Sequence, residues 1–281
     1  MLQVPIKAYR RLREIVTKIY CKLNLQKYET PKGRKEIIHN FDAITLTLFK
    51  QYQGIATKKS LFEIIAPNCS YKTLVVSINR TLELLRKIIG YLCLSNRYHA
   101  HLVKHTDSTD LPVCSNRKIR SHKTMVDYAA RSKTSKGWFY GLKLHISADL
   151  KGKILSVQFT SGNTDDRVIF PKLNRDLDGI FIADAGYISK DLTREFFIEN
   201  RRILLAMPKK NMKKLATDLD IELFKTRMRI EDPFGNLKQF RNLTTTVCRS
   251  VRGYLVNYLS AVLSLMITRS HSTDALPSSL S

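Results

Sequence analysis

The stretch KHTDSTDLP (104–112) places two carboxylates, Asp107 and Asp110, three residues apart in a chain that is otherwise strongly basic. Two more acids hold comparable places: Asp184 closes the apolar run IFIAD (180–184), and Glu231 sits in RMRIEDPFGNLKQF (227–240). Carboxylates converging at strand ends can hold hard divalent cations, and Mg²⁺ favours such oxygen ligands over nitrogen or sulfur. Two cations about 3.5–4 Å apart neutralise the charge that develops when a phosphodiester is hydrolysed or transferred. Asp184 has the plainest case, because an acid after four apolar strand residues is costly to bury unless a metal or partner meets it. Each acid also has a purely structural reading. Asp110 can cap a DLP turn, Asp184 can serve a turn before Gly186, and Glu231 can favour a helix start whose first turn accepts Pro233. Asp107 precedes Asp184 by 77 residues and Asp184 precedes Glu231 by 47, so any convergence is the work of the fold.

The elements that must do this positioning change character near His101. Beyond it, Leu142, Leu144 and Ile146 alternate with Lys143, His145 and Ser147, and Leu155, Val157 and Phe159 alternate with Ser156, Gln158 and Thr160. These patterns predict two antiparallel strands of a hairpin turned by ADLKGK (148–153), with one buried face. IFIAD and RILLAMP (202–208) are continuous apolar runs suited to interior strands. SKDLTREFFIENR, between them, predicts a helix opened by Ser189 and hence a parallel crossover. A strand over HLVKHT is expected to end at Asp107. The fold class that follows is α/β, a mixed sheet flanked by helices. Upstream, Ile6, Tyr9, Leu12, Val16, Ile19 and Leu23 keep helical spacing opposite a basic face, and KYETPKGRK (27–35) breaks the pattern. Helices are predicted at about 35–53 and 58–66, with a longer one from Tyr71. The expected division is 1–98, an all-helical DNA-binding region able to hold a helix-turn-helix, and 99–281, a catalytic domain ending in a buried helix over Tyr254–Ile267.

The chain has 281 residues, with 48 Lys plus Arg against 24 Asp plus Glu and a net charge of +24. Such an excess opposes compaction unless a polyanion offsets it, and nucleic acid is the usual one. Five widely spaced cysteines without a CxxC pair argue against zinc or disulfide scaffolding and imply reduced thiols in a cytoplasmic protein. MLQVPIKAYRRLREIV has no continuous apolar core, so no secretory signal is expected. The apolar C-terminal run carries Asn257, Ser260 and Ser264 and is read as core, not as a membrane span.

Taken in order, DST, CSNRKIRSHK, TSKGWFYGLKLHISAD, SGNTDDR, IADAGYIS, KKNMK and RIEDPFGNLK resemble the DDE transposases of insertion sequences, most closely the insertion-sequence family numbered 982. The resemblance runs from about His101 to the end. Phe224, Arg227, Glu231 and Lys238 match the Y-x2-R-x3-E-x6-K signature, with Phe in place of the usual Tyr. The resemblance selects Asp107 over Asp110 as the first acid. It implies a ribonuclease H-like fold, with Asp107, Asp184 and Glu231 as catalytic residues holding two Mg²⁺ ions, or Mn²⁺ in substitution. It further implies double-stranded DNA as partner, at the element's terminal inverted repeats and at the target, with strand cleavage, strand transfer and a homodimer in the synaptic complex. The setting is bacterial, cytoplasmic and nucleoid-associated, with no membrane.

Glu231 and Lys238, seven apart, share a helix face, so Lys238 can bind phosphate beside the acids, and Arg227 one turn earlier can do the same. Strand alternation places Lys143 and His145 on an exposed face open to DNA. Arg80 in the helical region and Lys209 and Lys210 in KKNMKK complete the expected DNA contacts. Asp149 is assigned to the hairpin turn, and Asp165 with Asp166 to a helix N-cap. Trp138, Phe139 and Tyr140 are read as core. The competing reading is a non-catalytic DNA-binding repressor derived from a transposase. A third is a basic RNA-processing nuclease.

Overall fold

The computed structural model describes residues 6–29, 36–135, 137–187, 189–200, 202–206, 217–226 and 228–270. Five helices come first: α1 (Ile6–Lys22), α2 (Asn40–Tyr52), α3 (Lys58–Ile65), α4 (Tyr71–Arg80) and α5 (Leu82–Tyr98). Then follow β1 (Val103–Cys114), β2 (Ala130–Thr134), β3 (Gly137–Asp149), β4 (Ile154–Ser161), α6 (Asp166–Leu173), β5 (Ile180–Ala183), α7 (Lys190–Asn200) and β6 (Ile203–Ala206). The last three are α8 (Asp218–Lys225), α9 (Met228–Gln239) and α10 (Val251–Ser270). Local chemistry sets many of the starts. Thr57 and Ser70 accept the amides of Ser60 and Thr73 at 2.9 and 3.1 Å, Asp165 accepts that of Arg167 at 2.9 Å, and Thr217 with Asp220 forms a reciprocal capping box. The predicted long helix from Tyr71 is two helices. The Thr81 hydroxyl donates back to the Ile78 carbonyl at 2.8 Å, an internal bond that competes with the helical ladder at the break.

The chain divides into two units: residues 1–91 with 236–281, and residues 92–235. This corrects the expected boundary, because the C-terminal helix joins the N-terminal helices instead of the sheet. In the helical unit α2 is buried along most of its length, and α10 packs on it. The polar residues of α10 are the reason this long apolar helix seats there. Ser260 meets the Thr47 hydroxyl at 3.1 Å, Gln51 donates to Asn257 at 2.9 Å, and Arg241 donates to Ser264 at 2.9 Å. Val251–Arg269 is long and apolar enough to cross a membrane by composition, but 78% of its most apolar window is buried in the protein, as a core helix requires.

In the second unit the sheet runs β2-β3-β1-β5-β6, with β4 also paired to β3. The β3–β4 hairpin is antiparallel, β1 is antiparallel to β3, and β1, β5 and β6 are parallel. The predicted hairpin and crossover are both present. The predicted HLVKHT strand is much longer, for β1 continues through Asp110 to Cys114. It does so where only β3 accompanies it, since β5 pairs with it at Val103–His105 alone. An edge there tolerates Pro112. Close approach of β1 and β3 depends on Gly141, where any Cβ would collide with the Leu111 carbonyl. Beneath the sheet Phe170, Phe181, Phe196 and Tyr187 pack ring to ring, Phe196 lying 5.0 Å from both Phe170 and Phe181. The buried Arg202 guanidinium lies 3.9 Å over Phe196 and donates to the Asn174 carbonyl at 2.8 Å.

Candidate active site

Asp107 lies inside β1, opposite Ile146, and Asp110 lies opposite Lys143. Three residues apart on a strand, the two acids face opposite sides of the sheet. Asp110 is therefore a strand residue, not the turn residue expected. The face of Asp107 also carries His105, whose Nε2 is 2.9 Å from the Thr226 hydroxyl at the end of α8. The face of Asp110 carries Ser108, opposite His145.

Parallel pairing brings the strand of the second acid alongside. His105 is in register with Ile182; Asp107 lies two residues farther along β1 and Asp184 follows the last residue of β5, so both acids lie just past the paired stretch of neighbouring strands. Both carboxylates are half-buried. Asp107 accepts the amide of Ser108 at 2.7 Å and Asp184 that of Ala185 at 2.6 Å, bonds that orient each group. The Tyr187 phenol is held far above its usual range, first by burial and then by the negative charges of Asp166, Asp107 and Asp184, with Ser108 opposing.

Asp166 is the residue that sequence reasoning missed. Asp165 is the N-cap, its carboxyl held low chiefly by its bonds to Arg167. Asp166 turns inward, accepting from Lys143 Nζ at 3.0 Å with His145 Nδ1 at 3.7 Å. The doubled acid before the helix was its one signal, and it serves two purposes. Lys143 also donates to the Thr164 carbonyl at 3.0 Å. His145 is 1% exposed, meets the Thr160 hydroxyl at 2.8 Å and is pulled down to about 4, first by burial, with Asp166 opposing and Lys143 adding.

Several expected DNA contacts are corrected by this geometry. Lys143 and His145 are not on an open face: α6 covers it, and their polar atoms are used internally. Arg80 is likewise committed, its guanidinium bonding Glu36 at 2.7 Å, Asn40 at 2.8 Å and the Ile38 carbonyl at 3.0 Å. Arg227, Lys209 and Lys210 lie outside the described residues. Lys238 is half-buried on α9, on the same helical face as Glu231. Glu231 is exposed in the first turn of α9, five residues after Thr226, whose bond to His105 docks this segment on the face of Asp107. Among the described residues no three His, Cys, Asp or Glu side chains are close enough to hold a metal ion. Asp107 lies within β1 and Asp184 directly follows β5, while Glu231 stands in the first turn of α9. Phe139 and Tyr140 are buried as expected, but Trp138 is 51% exposed, with the Arg131 guanidinium 4.7 Å from its ring.

A family model described as a transposase DDE domain matches residues 98–251. A piggyBac transposase, solved by cryo-electron microscopy in a synaptic complex with hairpin DNA, has a similar fold. The identity is 9% and the TM-score 0.51, over 92% of this chain and 73% of that one. No curated protein matches. The mixed sheet, flanked by helices and preceded by a helical region, is the ribonuclease H-like fold.

Proposed function

Because this chain belongs to the transposase DDE-domain family, we propose that it mobilises its own insertion sequence, as a member of the family numbered 982. In this reading it binds the terminal inverted repeats, cleaves the DNA to free a 3′-OH and joins that end to a target. The observation that supports this reading is the parallel pairing of β1, which carries Asp107, with β5, which leads into Asp184. The negative charges of Asp166, Asp107 and Asp184 all act on Tyr187 in a chain of net charge +24, an arrangement that divalent cations suit. Two Mg²⁺ ions, or Mn²⁺, would be held by Asp107 and Asp184 with Glu231 as third acid. When bound they neutralise charge on the scissile phosphate and acidify water.

The chain's own groups have distinct parts. Tyr187 stays a protonated phenol and packs beside the acids without adding charge. Asp166 is compensated by Lys143, which leaves Asp107 and Asp184 as the chemical centre. His145 is neutral near pH 7 and faces away from Asp107, so the proton leaving the attacking hydroxyl passes to bulk water. Lys238, and with it Arg227, Lys209 and Lys210, bind phosphates. The helical unit recognises the element ends, a homodimer pairs two of them, and the work is done in the bacterial cytoplasm at the nucleoid.

The test is full-length protein with Mg²⁺ and labelled DNA carrying the flanks of its own gene, comparing wild type with Asp184→Asn. Terminal nicking by the wild type, reduced at least about a hundredfold in the variant with end binding retained, is expected from loss of one group that stabilises transition-state charge. End binding by the wild type without cleavage would favour the repressor, and equal cleavage by both proteins would remove Asp184 from the site.

A further inference from the structure

The helical unit contains a cavity of about 610 Å³ that the reaction does not use. Lys50, Lys58, Lys59, Lys72 and Arg249 all line it, and no Asp or Glu does. Lys59 reaches Glu63 at 3.9 Å, outside the lining. At the floor, Lys50 is 3% exposed, and among the described residues its ammonium is met by the amide oxygens of Gln51 at 3.4 Å and Asn257 at 3.3 Å. Lys58 donates to the Asn79 side-chain oxygen at 2.5 Å. Both amines are pulled down by burial, Lys50 to about 8, and Lys58 lowers Lys50 further while Cys248 opposes. A buried and a half-buried ammonium group with neutral partners are costly, and a bound anion offsets that cost. The cavity falls within the roughly 300–1,000 Å³ of small-molecule sites, far more than an inorganic phosphate fills. Its mouth is apolar and partly aromatic: Tyr71, Val76 and Val247 are 43%, 56% and 58% exposed.

We infer that this cavity is a nucleotide site, with the phosphate seated between Lys50 and Lys58 and the base against Tyr71, Val76 and Val247. Charge at the floor and a flat apolar rim match a group that is anionic at one end and aromatic at the other. The nucleotide is either free or part of a DNA strand, extruded from its stack. The inference rests on the cavity alone and stands whether or not the sheet unit cleaves DNA.

Full-length protein is titrated calorimetrically with deoxyadenosine 5′-monophosphate, deoxyadenosine and inorganic phosphate. A parallel arm follows 2-aminopurine fluorescence in duplex DNA. The monophosphate, or the extruded base in the DNA arm, is expected to give a saturable signal. Lys58→Met and the mouth-filling Val76→Trp should each weaken it about tenfold or more, the effect of one charged hydrogen bond, while Lys58→Arg stays within about threefold. Thermal melting of each variant checks that it is folded. Signal from free monophosphate assigns a free nucleotide, and signal from DNA alone assigns an extruded one. The inference is overturned if neither arm responds, if phosphate or deoxyadenosine binds as well as the monophosphate, or if both folded variants bind like wild type.

Discussion

Acidification should draw stability from one identifiable side chain. His145 is buried at 1% exposure between Thr160 and Asp166 and titrates near 4 in the folded protein, against 6.5 for an ordinary histidine. The fold favours its neutral form, so the contribution is complete above 6.5 and is lost as pH falls from there towards 4. That depression corresponds to about 3 kcal/mol in the limit, of which about 2 kcal/mol is lost between pH 7 and pH 5. His145→Gln keeps a hydrogen-bonding group for Thr160 and removes the titration. The assay is urea denaturation of both proteins at pH 7 and pH 5, followed by circular dichroism. Carboxylates titrate in both proteins, so the difference of differences isolates the histidine. The variant should be modestly less stable at pH 7 and lose about 2 kcal/mol less than wild type on going to pH 5. Parallel losses, within about 0.5 kcal/mol, would refute the claim that a neutral, desolvated imidazole is built into the sheet.

Three further outcomes follow from the same structure. Lys238→Ala should lower the salt slope of DNA binding by about one unit in a log–log plot of affinity against salt, while Lys143→Met, whose amine is spent on Asp166 and Thr164, should leave that slope unchanged. Phe170→Ala removes the ring packed against Phe181, Tyr187 and Phe196 and should cost about 3–5 kcal/mol in chemical denaturation. Gly141→Ala forces a methyl group against the Leu111 carbonyl in β1 and should cost about 1–3 kcal/mol, visible as a lower midpoint of thermal unfolding; an unchanged midpoint would show that the two strands can part without penalty.

The division into units bears on any truncation. Deleting the N-terminal helices alone strips α10 of α2, exposing buried faces such as Tyr254, Val256 and Leu263, so such a deletion should yield an aggregating chain. Binding studies of the helical unit need both chain segments.

Periodicity made much of the architecture readable. The β3–β4 hairpin, the β5–α7–β6 crossover and the N-terminal helices follow from apolar spacing and capping residues, because each is a local choice of backbone geometry. The failures are equally physical. DLP reads as a turn, yet β1 runs through it, because its β5 side is open there and an edge accepts proline. Alternation also mistook His145 for a surface residue. A sheet covered on both faces buries its polar alternates too, when, as with Thr160 and Asp166, partners wait for them.

By itself the sequence determined the basic charge, the acids available and the strands that carry them, since composition and local pattern are properties of the chain. Only the tertiary structure decided where those acids stand. Strand pairing is a long-range property, and it puts β1, which carries Asp107, next to β5, which leads into Asp184, while the packing of α6 on β3 turns Asp166 onto Lys143. It also decided that the last helix completes the first unit, because an apolar helix seats where its few polar groups find partners, and those of α10 find them in Thr47 and Gln51 of α2.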